Sequence, residues 1–194
     1  MSNRKIILAS SSPFRKQLLE RLHIEFEICS PNIDESRLNH EAPTHLVKRL
    51  AQEKAQAVST QYPDAIIIGS DQVAELEGDI LGKPGNHQNA VQQLTQASGK
   101  WVHFHTGLCV LDIQTQKSFC EDIHFSVLFR QLTPAQIERY LQMEQPYNAA
   151  GSFKSEGLGI SLFEKLEGDD PTALIGLPLI ALTRMFNQLG IAIP

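Results

Sequence analysis

The feature that most restricts the fold lies at the start of the chain. Ile6-Ile7-Leu8-Ala9 is an apolar run of strand length, and it passes straight into Ser10-Ser11-Ser12-Pro13-Phe14-Arg15-Lys16. Ser12 is a good N-cap, and Pro13 suits the first helical position because the N–H it lacks would have no intrahelical partner. A strand that hands over to a helix across three serines is the building unit of α/β folds, and the pattern recurs. A helix is predicted from Pro13 to Leu22, a strand near Phe26 to Cys29, and a helix from Pro43 to about Gln61. Ala65-Ile66-Ile67-Ile68-Gly69 is continuously apolar and rich in β-branched residues, as in a strand buried on both faces, and is predicted to end in Ser70-Asp71-Gln72. A hairpin turning at Glu77-Gly78-Asp79 follows, then a helix from about Asn86 to Ala97. Two long strands, Trp101 to Ile113 and Ser118 to Arg130, are expected to pair antiparallel. A helix starts near Pro134 behind Thr133, and the last runs from about Pro178 to Leu189 before Gly190 closes it. The predicted fold class is α/β: a central mixed sheet flanked by helices in a single domain over residues 1–194, with two lobes around a cleft.

Composition excludes several function classes. The chain has 194 residues, 42% hydrophobic and 20% charged, which describes a globular protein with material for a substantial core. Its net charge of -5 argues against binding a nucleic-acid backbone, yet leaves room for a small anion held by a local basic cluster. No apolar stretch approaches membrane-spanning length, and the run after Arg4 and Lys5 is too short for a signal-peptide core, so no membrane association is expected. Cys29, Cys109 and Cys120 are odd in number, far apart and without a CxxC pair, so neither a disulfide framework nor a zinc knuckle is expected. A cytoplasmic location follows as the expectation.

The candidate chemistry is that of phosphate. A helix start at Ser12 offers free N–H groups and a positive dipole end to an anion; Ser10 and Ser12 add hydroxyls, and Arg15 can bind phosphate oxygens bidentately. The plain alternative is a capped helix whose Phe14, Leu18 and Leu22 pack on the core. Asp71 is predicted at a strand end, where open α/β sheets place their ligands, and could hold a divalent cation or take a proton from water; a turn aspartate is the plain alternative. Lys54 falls on the inward stripe of its helix with Val47, Ala51 and Val58, either to meet an anion or to snorkel into water. Glu35, in a polar loop, could join Asp71 around magnesium or manganese. Gly78-Asp79-Ile80-Leu81-Gly82-Lys83-Pro84 falls short of a P-loop, since a residue is missing between the glycines and Pro84 stands where the metal-binding hydroxyl should be. Lys83 can still reach a phosphate. His103 and His105 share a strand face but lack a third ligand for a metal. Gly157-Leu158-Gly159 reads as a flexible turn, and Asp169-Asp170 before Pro171 as another.

Taken in order, Leu8-Ala9-Ser10-Ser11-Ser12-Pro13-Phe14-Arg15, Gln52-Glu53-Lys54-Ala55, Gly69-Ser70-Asp71-Gln72, Gly82-Lys83-Pro84, Ala150-Gly151-Ser152-Phe153-Lys154-Ser155-Glu156-Gly157 and Gly176-Leu177-Pro178-Leu179 resemble the Maf family of nucleoside triphosphate pyrophosphatases. The resemblance implies an inosine-triphosphatase-like fold and metal-dependent hydrolysis of a nucleotide to its monophosphate and diphosphate. It carries catalytic duty to Asp71, triphosphate binding to Ser10, Ser12, Arg15, Lys54 and Lys83, and metal binding to Asp71 and Glu35, with Mg²⁺ or Mn²⁺ as cofactor. The common family pattern has arginine where Phe14 stands, and the dTTP- and UTP-directed branch has threonine and glutamine at positions 72 and 156. Phe14, Gln72 and Glu156 instead resemble the branch specific for 7-methyl-GTP. The 7-methylguanine ring is positively charged, and an aromatic face stacked on it contributes about 0.5 to 2 kcal/mol. Glu156 could accept from the guanine N1–H and exocyclic amine. The implied partner is a small-molecule nucleotide, with a homodimer also compatible. A pyrophosphatase with dTTP/UTP or broader base preference, or a nucleotide-binding regulator of septum formation without useful turnover, are the alternatives.

Overall fold

The computed structural model describes residues 4–193. Strands β1 (Ile6–Ala9), β2 (Glu27–Ile28), β3 (Ile66–Leu76), β4 (Asp79–Leu81), β5 (Trp101–Asp112), β6 (Lys117–Phe129) and β7 (Phe163–Glu167) alternate with helices α1 (Pro13–Glu20), α2 (Pro43–Ser59), α3 (His87–Ala97), α4 (Pro134–Glu144) and α5 (Leu179–Gln188). The strand order is β2-β1-β3-β5-β6-β7, with β4 on β3. Because β1 pairs parallel with β2 and β3 while β3–β4 and β6–β7 are antiparallel, the sheet is mixed, as expected.

The chain divides into two compact units. The first comprises Met1–Gln72, Thr106–Ile123 and Asp170–Pro194; the second comprises Val73–His105 and His124–Asp169. In the first unit, β1 and β3 are buried on both faces, and period-2 alternation assigns their residues to two cores. Ile6, Leu8, Ile66 and Ile68 pack with Leu18 and Leu19 of α1 and Leu182, Met185 and Phe186 of α5. Ile7, Ala9, Ala65 and Ile67 pack with Ala55 and Val58 of α2. Gly69 lets α2 lie directly on β3, since a Cβ there would come 2.0 Å from the Ala51 carbonyl oxygen. In the second unit, Phe104, Phe129, Phe153 and Phe163 pack edge to face with centroids 4.9 to 5.6 Å apart, a preferred aromatic geometry.

The elements named from sequence are present, and three details differ. The strand through Asp71 does not end there: β3 continues to Leu76 because it changes partners, pairing with β1 over Ile66–Gly69 and with β4 over Ala74–Leu76. Second, Leu158–Leu162 forms a 3₁₀ helix followed by β7, where a flexible turn was expected. Third, Cys109 and Cys120 are disulfide-bonded, contrary to expectation, with Cα atoms 4.2 Å apart. They stand eleven positions apart in sequence but face each other from adjacent strands, a spacing no local cysteine motif describes. The cysteine count therefore says nothing of the compartment. Among the described residues no helix is long and apolar enough to cross a membrane.

Candidate active site

Alternation along Gly69-Ser70-Asp71-Gln72 sends neighbouring side chains to opposite faces of β3. Gly69 and Asp71 face α2. The helix backbone touches the strand at Gly69, so Lys54, one turn along α2 from Ala51, reaches Asp71 two residues further along β3. Its ammonium donates to Asp71 Oδ1 at 2.6 Å and lies 2.8 Å from Glu35 Oε1. Lys54 and Asp71 are buried, at 5% and 8% exposure, while Glu35 is solvent-exposed. Lys54 thus takes the inward reading of its helical position, and the burial of two opposite charges is offset by their contact. Glu35 is held from behind. Arg49 of α2 donates to both oxygens of Glu41, at 2.7 and 2.9 Å, and to the Ser36 carbonyl at 3.0 Å, which fastens the loop next to Glu35. The guanidinium beside it pulls the Glu41 carboxyl down to about 2.

Ser70 and Gln72 face the other way, toward α1 and the segment before α5. The Ser70 hydroxyl donates to the Gly176 carbonyl at 3.0 Å, and Gln72 Nε2 donates to the carbonyls of Ala173 and Leu174 at 2.7 and 3.1 Å. Arg15 Nε donates to the Gly176 carbonyl at 2.8 Å, leaving the outer guanidinium nitrogens for a ligand, with one 3.5 Å from Ser10 Oγ. Burial lowers the Arg15 pKa and the Asp71 and Glu35 carboxylates oppose that shift. The α1 start is built as the serines and Pro13 imply. Ser12 Oγ accepts from the Arg15 N–H at 3.4 Å, and Ser10 Oγ accepts from the Ser12 N–H at 3.1 Å. A hydroxyl that accepts in this way keeps its own proton to donate.

One unit therefore brings together Ser10, Ser12, Arg15, Lys54, Glu35, Asp71 and Gln72, with Phe14 half-buried on α1. Lys83 and Glu156 belong to the second unit, and both are exposed. Lys83 lies two residues beyond β4. Glu156 sits in a loop tied at both ends by Glu144, which accepts from Lys154 Nζ at 3.2 Å and from the Leu158 N–H at 3.0 Å. His103 bonds Ser126 Oγ at 2.8 Å, and no group of three His, Cys, Asp or Glu side chains among the described residues is arranged to hold a metal. The sequence reading missed Ser70, Thr106 and the carbonyls of 173–176. Backbone acceptors carry no side-chain signal, and only the glycine at 176, with φ of +121°, marks the unusual path of that segment. In chemical terms the first unit offers a buried carboxylate and ammonium pair, a second carboxylate, a guanidinium and a hydroxyl-rich helix start. Such a set has the chemistry to receive phosphate oxygens and to deprotonate a water.

A family model described as "Maf-like protein" matches residues 5–189. The chain is 57% identical over 186 residues to a protein of Colwellia psychrerythraea named 7-methyl-GTP pyrophosphatase, covering 96% of this chain and 93% of that one. It is 56% identical over 191 residues to a protein of the same name from Alcanivorax borkumensis, covering 97% and 96%. A HAM1 protein from Coxiella burnetii superposes with a TM-score of 0.55 at 14% identity, over 97% of this chain and 100% of the other, which shows a shared fold. The chain belongs to the Maf family.

Proposed function

We propose that this chain is a pyrophosphatase that hydrolyses 7-methyl-GTP to 7-methyl-GMP and diphosphate. The observation that carries the chemistry is the buried Lys54–Asp71 pair with Glu35 on the same ammonium. Support for the base comes from the name that the two relatives carry and from the triplet Phe14, Gln72 and Glu156.

The residues divide the work by charge. Ser10, Ser12 and Arg15 receive the phosphate oxygens, and Lys54 offsets the negative charge that grows as water attacks the α-phosphorus. Asp71 orients that water and takes its proton; the bond from the α-phosphorus to the bridging oxygen breaks, and diphosphate leaves with its electrons. Lys54, by donating to Asp71 Oδ1, holds the carboxylate in place. Lys83 is assigned to phosphate, and Glu156 to the guanine edge. Phe14 stacks on the positively charged base.

The donor set also fits a divalent cation of the Mg²⁺ or Mn²⁺ type, because Asp71 and Glu35 are hard oxygen ligands on one locus and such ions complete their shell with water and phosphate. When bound, the ion would add positive charge at the phosphates.

The test is diphosphate release across 7-methyl-GTP, GTP, dTTP, UTP and CTP with Mg²⁺, beside Asp71→Ala. The expected result is preferential cleavage of 7-methyl-GTP that falls at least about a hundredfold in the variant while its melting curve stays cooperative. Pyrimidine preference would refute the substrate, and turnover retained in folded Asp71→Ala would refute the role of Asp71.

A further inference from the structure

Arg15, Ser70, Gln72 and Thr106 share one anchorage. The Gly176 carbonyl receives Arg15 and Ser70, the Ala173 carbonyl receives Gln72 and, at 3.0 Å, the Thr106 hydroxyl, and the Leu174 carbonyl receives Gln72. A carboxamide has two N–H groups and one oxygen, so two facing carbonyls dictate which way it lies. Gln72 is thereby left with its oxygen as the atom it can offer a ligand.

The segment bearing these carbonyls is short and irregular, a single 3₁₀ turn at Ala173–Ile175 followed by Gly176. What closes it is Asp170, only 3% exposed. Asp170 Oδ1 accepts from the Thr172 N–H at 3.1 Å and the Thr172 hydroxyl at 2.6 Å, while Oδ2 accepts from the N–H groups of Ile180 at 2.8 Å and Ala181 at 3.4 Å. The Leu179 N–H adds a bond to Thr172 Oγ1 at 2.8 Å. Pro178, at the N-cap of α5, supplies no side-chain cap, so the first N–H groups of that helix are met from Asp170 and Thr172. A carboxylate is favoured at a helix N-terminus. Here it also draws Thr172 and the first turn of α5 together, which sets where the intervening carbonyls point.

We propose that Asp170 is a positioning residue for the reaction. By tying Thr172 to α5 it fixes the carbonyls that aim Arg15 at phosphate and present Gln72 as an acceptor to the base; this rests on the roles given to Arg15 and Gln72 above. Asp170 touches no substrate atom in this scheme.

Asp170→Asn keeps the volume but replaces one acceptor oxygen with a donor, so one of the two anchors fails. The expected result is a cooperatively folding protein whose KM for 7-methyl-GTP rises about tenfold, whose preference over GTP falls several-fold and whose kcat changes less. The KM effects of Asp170→Asn and Arg15→Ala should be less than additive, because both act through one guanidinium. Thr172→Val, which spares the Asp170 bonds to α5 but removes the bridging hydroxyl, should give the same split and serves if Asp170→Asn does not fold. Calorimetric titration with inorganic pyrophosphate reads the same effect without turnover. If Asp170 is only a helix cap, kcat falls with the folded fraction while KM, preference and pyrophosphate affinity stay at wild type, and the proposal is overturned. If the wild type cleaves no nucleotide yet Asp170→Asn weakens pyrophosphate binding as Arg15→Ala does, the assigned function falls and Asp170 keeps its positioning part.

Discussion

Gly69→Ala probes the contact on which the Lys54–Asp71 pair depends. A Cβ at position 69 would stand 2.0 Å from the Ala51 carbonyl oxygen and 3.0 Å from the Ala55 amide nitrogen, and both are helix backbone that no rotamer change can move aside. To restore even 3.0 Å, α2 must retreat by about 1 Å, loosening Ala55 and Val58 from Ile7 and Ile67. Overpacking of this kind costs about 1 to 3 kcal/mol. For a chain of this length that lowers Tm by roughly 2 to 12 °C. The same retreat stretches the 2.6 Å contact between Lys54 and Asp71 beyond hydrogen-bond range, and an error of that size at reacting groups lowers turnover by about a hundredfold. Calorimetric melting and steady-state diphosphate release would be measured side by side. Gly82→Ala is the stability control: nothing lies within 4 Å of a Cβ there, so its stability should stay within about 0.5 kcal/mol of wild type. A Gly69→Ala protein that melts within a degree of wild type and keeps its turnover would refute the account of how α2 sets the site.

Two further expectations concern specificity and pH. The triple variant Phe14→Arg, Gln72→Thr, Glu156→Gln should lose its preference for 7-methyl-GTP and gain turnover of dTTP and UTP; a panel in which 7-methyl-GTP remains preferred would sink the triplet as the base reader. Glu41 is depressed from 4.5 to about 2 by Arg49, so its contribution to stability is complete above about pH 4.5 and is lost as pH falls toward 2. Urea unfolding at pH 6, 4 and 3 should therefore show a smaller loss on acidification in Glu41→Gln than in wild type. Equal losses in both proteins would remove the Glu41–Arg49 pair from the account.

Much of the first unit was legible because its signals are local. The cap at Ser12 and Pro13 at the helix start act within a few residues, and both are found where the sequence implied them. The inward position of Lys54 followed from helical periodicity. Periodicity could not choose between snorkelling and an ion pair, since that depends on a strand seventeen positions further along. Asp71 was recognisable as a residue following a buried strand, but not as a mid-strand residue, because the continuation of β3 rests on its pairing with neighbouring strands, β4 among them, and not on its own composition. Asp170 looked like a turn residue; its partners Ile180 and Ala181 are ten and eleven positions away.

Sequence by itself determined the α/β class, the order of the helices and where they start, the apolar faces and the residue types available for phosphate chemistry, since propensity, capping and burial pattern operate over one or two turns. Only the tertiary structure decided that Lys54 would be shared by Asp71 and Glu35, that Cys109 would meet Cys120, and that carbonyls of 173–176 would orient Arg15 and Gln72. Those outcomes depend on the distance between elements remote in sequence, and packing against a shared sheet sets that distance.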